Sequence, residues 1–319
     1  MKILANDGIS KAGELMLKDA GMEFLDIRVA QEQLSKFIQD HQVDVLLVRS
    51  ATKVRKDLID ACPSLKIIGR GGVGMDNIDV EYAREKGISV INTPLASSRS
   101  VAEMVFAHFF SLARFLHEAN RMMPLEGETQ FNALKKSYAN AIELKGKTLG
   151  VIGFGGIGKE VATMELALGM KVKLLTRTPR TETVSLHFFD GQKVDFNLTS
   201  TNDSATFLSD VDFLSINTPK TDGYLIDTPQ FEMMKDGVFI VNTARGGVIN
   251  EVALIDFIEE GKVAGAALDV FENEPQPELA LLMNPHLSLS PHLGGNTLDA
   301  QEKIGTELAT QIIELSRKI

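Results

Sequence analysis

The stretch VIGFGGIGKEVA, residues 151–162, constrains the fold of this chain more than any other. The apolar run TLGVIG (148–153) leads into it, and EVATMELALGM continues beyond it at helical spacing, so the glycines fall at a strand-to-helix turn. In that setting Gly153 makes the tight turn, Gly155 admits a pyrophosphate close to the backbone, and Gly158 lets helix and strand pack closely, with Gly156 and Ile157 between them opening the helix. The first helical turn then points free N–H groups at the phosphates. A dinucleotide-binding βαβ unit built on a parallel sheet is the expectation.

The remaining strands fall into two sets. KILA (2–5), EFLDIRV (23–29), VDVLLV (43–48), KIIG (66–69) and GISVINTP (87–94) alternate with helical spacing in ISKAGELMLKDAG and QEQLSKFIQDH. TLGVIG, MKVKLLT (170–176), VDFLSIN (211–217), GVFIVNTA (237–244) and VAGAALDVF (263–271) form the second set. Their near-continuous apolar character fits sheets covered on both faces, an α/β doubly wound architecture. With 319 residues, 44% of them hydrophobic, the chain is long enough for two modest domains, or for one domain carrying a second folded around it. Between the sets, SSRSVAEMVFAHFFSLARFLHEANRM (97–122) predicts one long connecting helix, and NTLDAQEKIGTELATQIIELSRKI predicts a terminal helix capped by Asn296 or Thr297. SLHFFDGQKVDFNL (185–198) predicts a β-hairpin with a type I′ turn at Asp190-Gly191.

A net charge of −10 counts against nucleic acid or an anionic membrane as partner. A single cysteine, Cys62, excludes an internal disulfide and a cysteine-based zinc cluster, suits a reducing compartment, and fits a buried apolar filler. The opening MKILANDG matches neither a signal peptide nor an anchor, and no apolar run approaches a membrane span, so a cytoplasmic protein without a metal site is expected.

A dinucleotide site of this kind expects an acid at the end of the second strand, about 20 residues past the glycines, for the ribose hydroxyls. Here that strand runs into Thr176, Arg177, Thr178, Pro179 and Arg180, with no acid. Two arginines and hydroxyl side chains suit a 2′-phosphate and favour NADP over NAD; the alternative is that both arginines are solvated or stack on adenine. Three further strings stand near strand ends: NTARGGVINE (242–251), LDVFENEP (268–275) and SPHLGG (290–295). In open α/β sheets, residues at the carboxyl ends of strands converge on the ligand, which gathers Arg245, Glu274 and His292. An arginine grips a carboxylate through paired hydrogen bonds, and a carboxylate beside a histidine orients the ring and stabilises its charged form.

GFGGIG, NTARGGVINE, ALDVFENEP and SPHLGG together resemble the D-isomer-specific 2-hydroxyacid dehydrogenase family over nearly the whole chain. LLVRSATKV (46–54) and IIGRGGVGMDNIDVEYAREKGISVINTP (67–94) are most similar to its D-3-phosphoglycerate dehydrogenase branch, in a short form without the C-terminal regulatory domain. Feedback through such a domain is accordingly not expected. The resemblance implies a Rossmann-type doubly wound domain (98–292) inserted into a flavodoxin-like α/β substrate domain (1–97 plus 293–319), and a homodimer. It implies His292 as the proton acceptor, Glu274 as its charge partner and Arg245 as the carboxylate clamp. It also implies dinucleotide contacts from Thr218, Pro219, Thr243, Ala244 and Asp269. Substrate contacts would come from the backbone of Gly72, Val73 and Gly74 and from Arg49, Ser50 and Arg70 around a phosphate. The activity implied is NAD(P)-dependent oxidation of 3-phospho-D-glycerate to 3-phosphohydroxypyruvate, the entry to serine synthesis. The alternatives are an NADPH-dependent glyoxylate or hydroxypyruvate reductase and a non-catalytic, dinucleotide-sensing scaffold of the corepressor type.

Overall fold

The computed structural model describes residues 1–318 and divides into two compact units, Met1–Ser98 with Gly295–Ile319, and Arg99–Gly294. The first unit opens with β1 (Lys2–Ala5), α1 (Lys11–Asp19), β2 (Glu23–Leu25), α2 (Gln31–His41), β3 (Val45–Val48), α3 (Lys56–Ala61), β4 (Ile67–Arg70), α4 (Val80–Glu85) and β5 (Ser89–Asn92). These strands form one parallel sheet in the order β2-β1-β3-β4-β5. β3 is buried at all four positions, as its unbroken VLLV run requires of a strand covered on both faces. The strand expected over 23–29 stops at Leu25, because Val29 is diverted to pair its N–H with the Asn6 side chain at 2.8 Å.

In the second unit come α5 (Ser98–Ala113), α6 (Leu116–Ser137), β6 (Thr148–Ile152), α7 (Gly156–Ala167) and β7 (Lys171–Leu175). β8 (Thr181–His187), β9 (Lys193–Thr199), α8 (Ser204–Leu208), β10 (Phe213–Ile216), α9 (Thr228–Met233) and β11 (Val238–Asn242) follow. The unit ends with α10 (Glu251–Glu259), β12 (Val263–Leu268), α11 (Leu279–Met283) and β13 (Leu287–Leu289). Its parallel sheet runs β13-β12-β11-β10-β6-β7, so the order reverses beside β6, the strand that carries the glycine turn. One row of paired residues, Ile152, Ile216, Asn242, Leu268 and Leu289, marks the carboxyl ends of five neighbouring strands. Whatever follows these residues in the chain therefore lies along one edge of the sheet.

Two expectations are corrected. The long helix predicted over 97–122 is two helices, broken where Phe115 takes a left-handed conformation at φ 52° and stacks on Tyr138. The hairpin is present as β8 paired antiparallel with β9, but its turn is not type I′. Phe188 O accepts from Gly191 N at 3.0 Å and Phe188 N donates to Gln192 O at 2.9 Å, with Gly191 at φ 86° and Asp190 outside the left-handed region. That is a three-residue loop, a tight turn closed by a left-handed glycine.

The chain closes with α12 (Leu298–Ser316), capped by Thr297, whose side chain accepts from Ala300 N. It packs back on the first unit by crossing α1 at two glycines: a Cβ on Gly13 would lie 2.5 Å from Gly305 O, and one on Gly305 would lie 2.0 Å from Ser10 Oγ. Cys62 is fully buried in the first unit, and burial pushes its thiol up to about 11, as suits an inert filler. No described helix is long and apolar enough to cross a membrane.

Candidate active site

The glycine turn is built as its spacing requires. Gly153 adopts φ 87°, and a Cβ there would meet Asn217 O at 2.5 Å; a Cβ on Gly158 would meet Gly153 O at 2.1 Å. Gly155, by contrast, faces open space and caps α7 without any side-chain bond, leaving the helix N–H groups of Gly156 and Ile157 directed outward. At the neighbouring strand ends, Asn217 Oδ1, Thr218 Oγ1 and Thr243 Oγ1 are buried with no hydrogen-bond partner among the described residues. Orphaned buried oxygens along one sheet edge, beside an open helix N-terminus, fit a dinucleotide that would satisfy them. Pro219 is exposed beside Thr218, and Ala244 N is occupied by Asn242 Oδ1 at 3.0 Å.

Past β7, Thr176 Oγ1 donates to Thr178 O at 2.9 Å and meets Ser200 Oγ at 2.6 Å. Arg177 is exposed. Arg180 is engaged: its Nη2 donates to Phe154 O at 2.9 Å, and its Nε pairs with Glu182, which Lys159 also pairs. The Lys159 bond does most to hold the Glu182 carboxyl below its ordinary range. An acid thus does stand near the glycine turn, delivered by the hairpin rather than by the strand end, where a spacing rule does not look for it.

The catalytic candidates gather within this second unit. His292 Nδ1 lies 3.0 Å from Glu274 Oε2, and Glu274 Oε1 accepts from Phe271 N at 3.0 Å. Partial burial pushes the Glu274 carboxyl up, but the His292 and Phe271 bonds and the charges of His292 and Arg245 outweigh it and hold it below the usual carboxylate range. Arg245 is shaped by its own loop: Asn242 Nδ2 donates to Arg245 O at 3.0 Å and Arg245 Nη1 to Ala244 O at 2.7 Å. Gly246 permits that loop to lie against the Glu274 loop, since a Cβ there would sit 1.8 Å from Phe271 O. Glu251 and Glu272 tie the same loop to α10 reciprocally, Glu272 N donating to Glu251 Oε1 at 2.8 Å and Glu251 N to Glu272 Oε1 at 3.1 Å.

Asp269, expected as a dinucleotide contact, binds the chain around His292 with its carboxylate. It is 1% exposed, and its oxygens accept from Ser290 Oγ at 2.6 Å, Leu293 N at 2.7 Å and Gly294 N at 2.8 Å. It organises the loop that presents His292. That role has no motif of its own, because an aspartate at a strand end looks the same whether it faces a ligand or a loop.

In the first unit, β3 and β4 are neighbours with Val48 opposite Arg70, which brings Arg49 and Arg70 to adjacent strand ends. A Cβ on Gly72 would lie 1.8 Å from Arg70 Nη1, so that glycine makes room for the Arg70 side chain, whereas one on Gly71 would lie in ordinary contact with Arg49 Cγ at 3.5 Å. Asp7 holds the Arg49 loop, accepting from Arg49 N at 2.7 Å and Thr52 N at 3.1 Å; Ser50 stays exposed. Gly72 N donates to Thr93 Oγ1 at 2.9 Å, whereas the Val73 and Gly74 N–H groups have no partner among the described residues. Asp7 and Thr93 were not singled out from sequence, since their work is to brace backbone.

Residues 106–294 match the model of the D-isomer specific 2-hydroxyacid dehydrogenase NAD binding domain. A hydroxypyruvate reductase of Thermotoga maritima is 41% identical over 98% of this chain and 97% of its own length. A D-3-phosphoglycerate dehydrogenase of Methanocaldococcus jannaschii is 39% identical over 99% of this chain, which spans only 58% of that relative. Among solved structures, an NADPH-dependent glyoxylate/hydroxypyruvate reductase from Sinorhizobium meliloti, in complex with NADP and malonate, superposes with a TM-score of 0.78 at 26% identity, covering 98% of this chain and 92% of that one.

Proposed function

This chain belongs to the D-isomer specific 2-hydroxyacid dehydrogenase family, and we propose that within it the chain oxidises 3-phospho-D-glycerate, or reduces 3-phosphohydroxypyruvate in the reverse sense. The observation that carries the phosphorylated substrate is the pair Arg49 and Arg70 at adjacent strand ends, with Gly72 clearing the space about the Arg70 side chain. Two guanidinium groups suit a phosphate dianion better than the single carboxylate of an unphosphorylated hydroxy acid demands.

A bound nicotinamide dinucleotide supplies the hydride-transfer chemistry. His292 presents Nε2 to the substrate hydroxyl, because Nδ1 is taken by Glu274, and it accepts the hydroxyl proton as the alcohol becomes a ketone. Glu274, ionised at neutral pH, stabilises the resulting imidazolium across 3.0 Å. Arg245 clamps the substrate carboxylate and draws charge towards the developing carbonyl. The unpartnered N–H groups of Val73 and Gly74 provide backbone donors for an anionic group. Exposed Arg177 favours NADP, while Arg180 is paired with Glu182.

The second reading, a hydroxypyruvate reductase, is favoured by the relative whose whole length this chain matches. Arg49→Ala separates the two. On the phosphoglycerate reading kcat/KM falls about 100-fold for 3-phosphohydroxypyruvate, and far less for hydroxypyruvate, as loss of one charged hydrogen-bonded pair implies. Equal losses on both substrates would overturn the phosphate assignment.

A further inference from the structure

Beyond the residues already assigned, α5 carries one buried titratable group for which the mechanism has no role. His108 is 5% exposed; its Nδ1 lies 3.0 Å from Ser288 Oγ and its Nε2 lies 3.0 Å from Ser290 Oγ. We propose that His108 is a positioning residue for His292, acting through the Ser290 hydroxyl and the Asp269 carboxylate. Its catalytic consequence rests on the dehydrogenase reading above, whereas its structural consequence does not.

The direction of each hydrogen bond follows from counting protons. The Ser290 hydroxyl has one hydrogen and gives it to Asp269 Oδ1 at 2.6 Å, so towards His108 it can only accept. His108 must therefore carry its proton on Nε2. Burial lowers the His108 pKa, with a smaller push from the charge of His117 and an opposing one from Asp269, so the ring is neutral at pH 7. Nδ1 is then free to accept from the Ser288 hydroxyl at 3.0 Å, a closer partner for that hydrogen than Ser111 Oγ at 3.5 Å. An otherwise mobile serine rotor is thus locked at both ends, pointing at Asp269.

Asp269 passes the constraint to the chain. It accepts from Leu293 N and Gly294 N, the two amides that follow His292, while His292 N itself donates to Ser290 O at 3.1 Å. His292 adopts φ 55°, an uncommon conformation for a residue with a side chain, which persists only where the surroundings hold it. Those surroundings are Ser290 on one side and the Asp269 carboxylate on the other. The 3.0 Å approach of His292 to Glu274 depends on this backbone, so the ring on α5 sets the aim of the ring that moves the proton.

His108→Leu keeps bulk but removes both ring nitrogens, and His108→Gln returns an N–H near the place of Nε2. Two readouts are used: hydrogen exchange of the Leu293 and Gly294 amides in dinucleotide-free protein, and kcat against KM for the turnover of hydroxypyruvate and 3-phosphohydroxypyruvate. The leucine variant is expected to exchange those two amides about tenfold faster, with β11 and β12 unchanged, and to lose about tenfold in kcat at constant KM, as expected for one buried hydrogen bond. The glutamine variant is expected to recover both. Should the leucine variant not fold, Ser290→Ala is expected to give the same two changes. Unchanged exchange in a folded leucine or alanine variant, or a glutamine variant no better than leucine, would overturn the proposal. Absence of turnover by the wild-type protein would instead count against the dehydrogenase reading, leaving the exchange arm to decide on His108.

Discussion

At the scale of single residues, the site works by assigning each charged group a partner that fixes its state. Glu274 is kept ionised beside His292, so Glu274→Gln, which retains the bond from Phe271 N but removes the charge, is expected to lower kcat by about 10- to 100-fold with little change in KM. Steady-state kinetics of the variant checks this; an unchanged kcat would remove Glu274 from the mechanism. Glu251 behaves in the opposite way. It is 6% exposed, and burial, aided by the charge of Glu272, pushes its carboxyl up to about 7 against the Glu272 amide that favours its ionised form. Between the ordinary carboxyl range and pH 7 the folded chain holds a proton that the unfolded chain has lost, so stability falls as pH rises through that window. Glu251→Gln keeps the acceptor for Glu272 N and is expected to be more stable than the wild type at pH 8 by about 1–3 kcal/mol, and no more stable at pH 4.5. Denaturant unfolding at the two pH values measures it. The motif-bearing residues Arg245, Glu274 and His292 were legible in sequence as a set. The bonds that Asp269 and His108 make were not legible, because a hydrogen-bond network joining residues more than 150 positions apart has no local spacing to betray it.

At the scale of elements, strands and glycine turns were legible and breaks were not. β6 and α7 follow from an apolar run, three glycines and a helical repeat, all local signals. The break at Phe115 carries no glycine or proline, and apolar periodicity continues across it, so nothing in the local pattern distinguishes two helices from one. The hairpin was legible from alternation, but its turn type depends on which residue takes positive φ, and only Gly191 does. Long-range packing is legible only in retrospect: Gly13 and Gly305, 292 positions apart by subtraction, let α1 and α12 cross closely. Gly13→Ala is expected to cost about 1–3 kcal/mol, because its Cβ would sit 2.5 Å from Gly305 O and force the helices apart. A melting midpoint equal to the wild type would show that the crossing has slack.

At the scale of the whole molecule, each unit presents a parallel sheet whose carboxyl ends carry its polar residues: Arg49 and Arg70 beside the Val73 and Gly74 amides in one, the glycine turn and the paired His292 and Glu274 in the other. Division of labour of this kind suits a reaction between two anionic molecules, one large and one small. Membership of the 2-hydroxyacid dehydrogenases bounds the chemistry, and the substrate phosphate is what distinguishes the reading advanced here. The most direct test is the initial rate of purified protein with 3-phosphohydroxypyruvate and with hydroxypyruvate, each paired with NADH and with NADPH. A clearly higher kcat/KM for the phosphorylated substrate with at least one dinucleotide is expected. Preference for hydroxypyruvate, or no turnover of either despite dinucleotide binding, would contradict it.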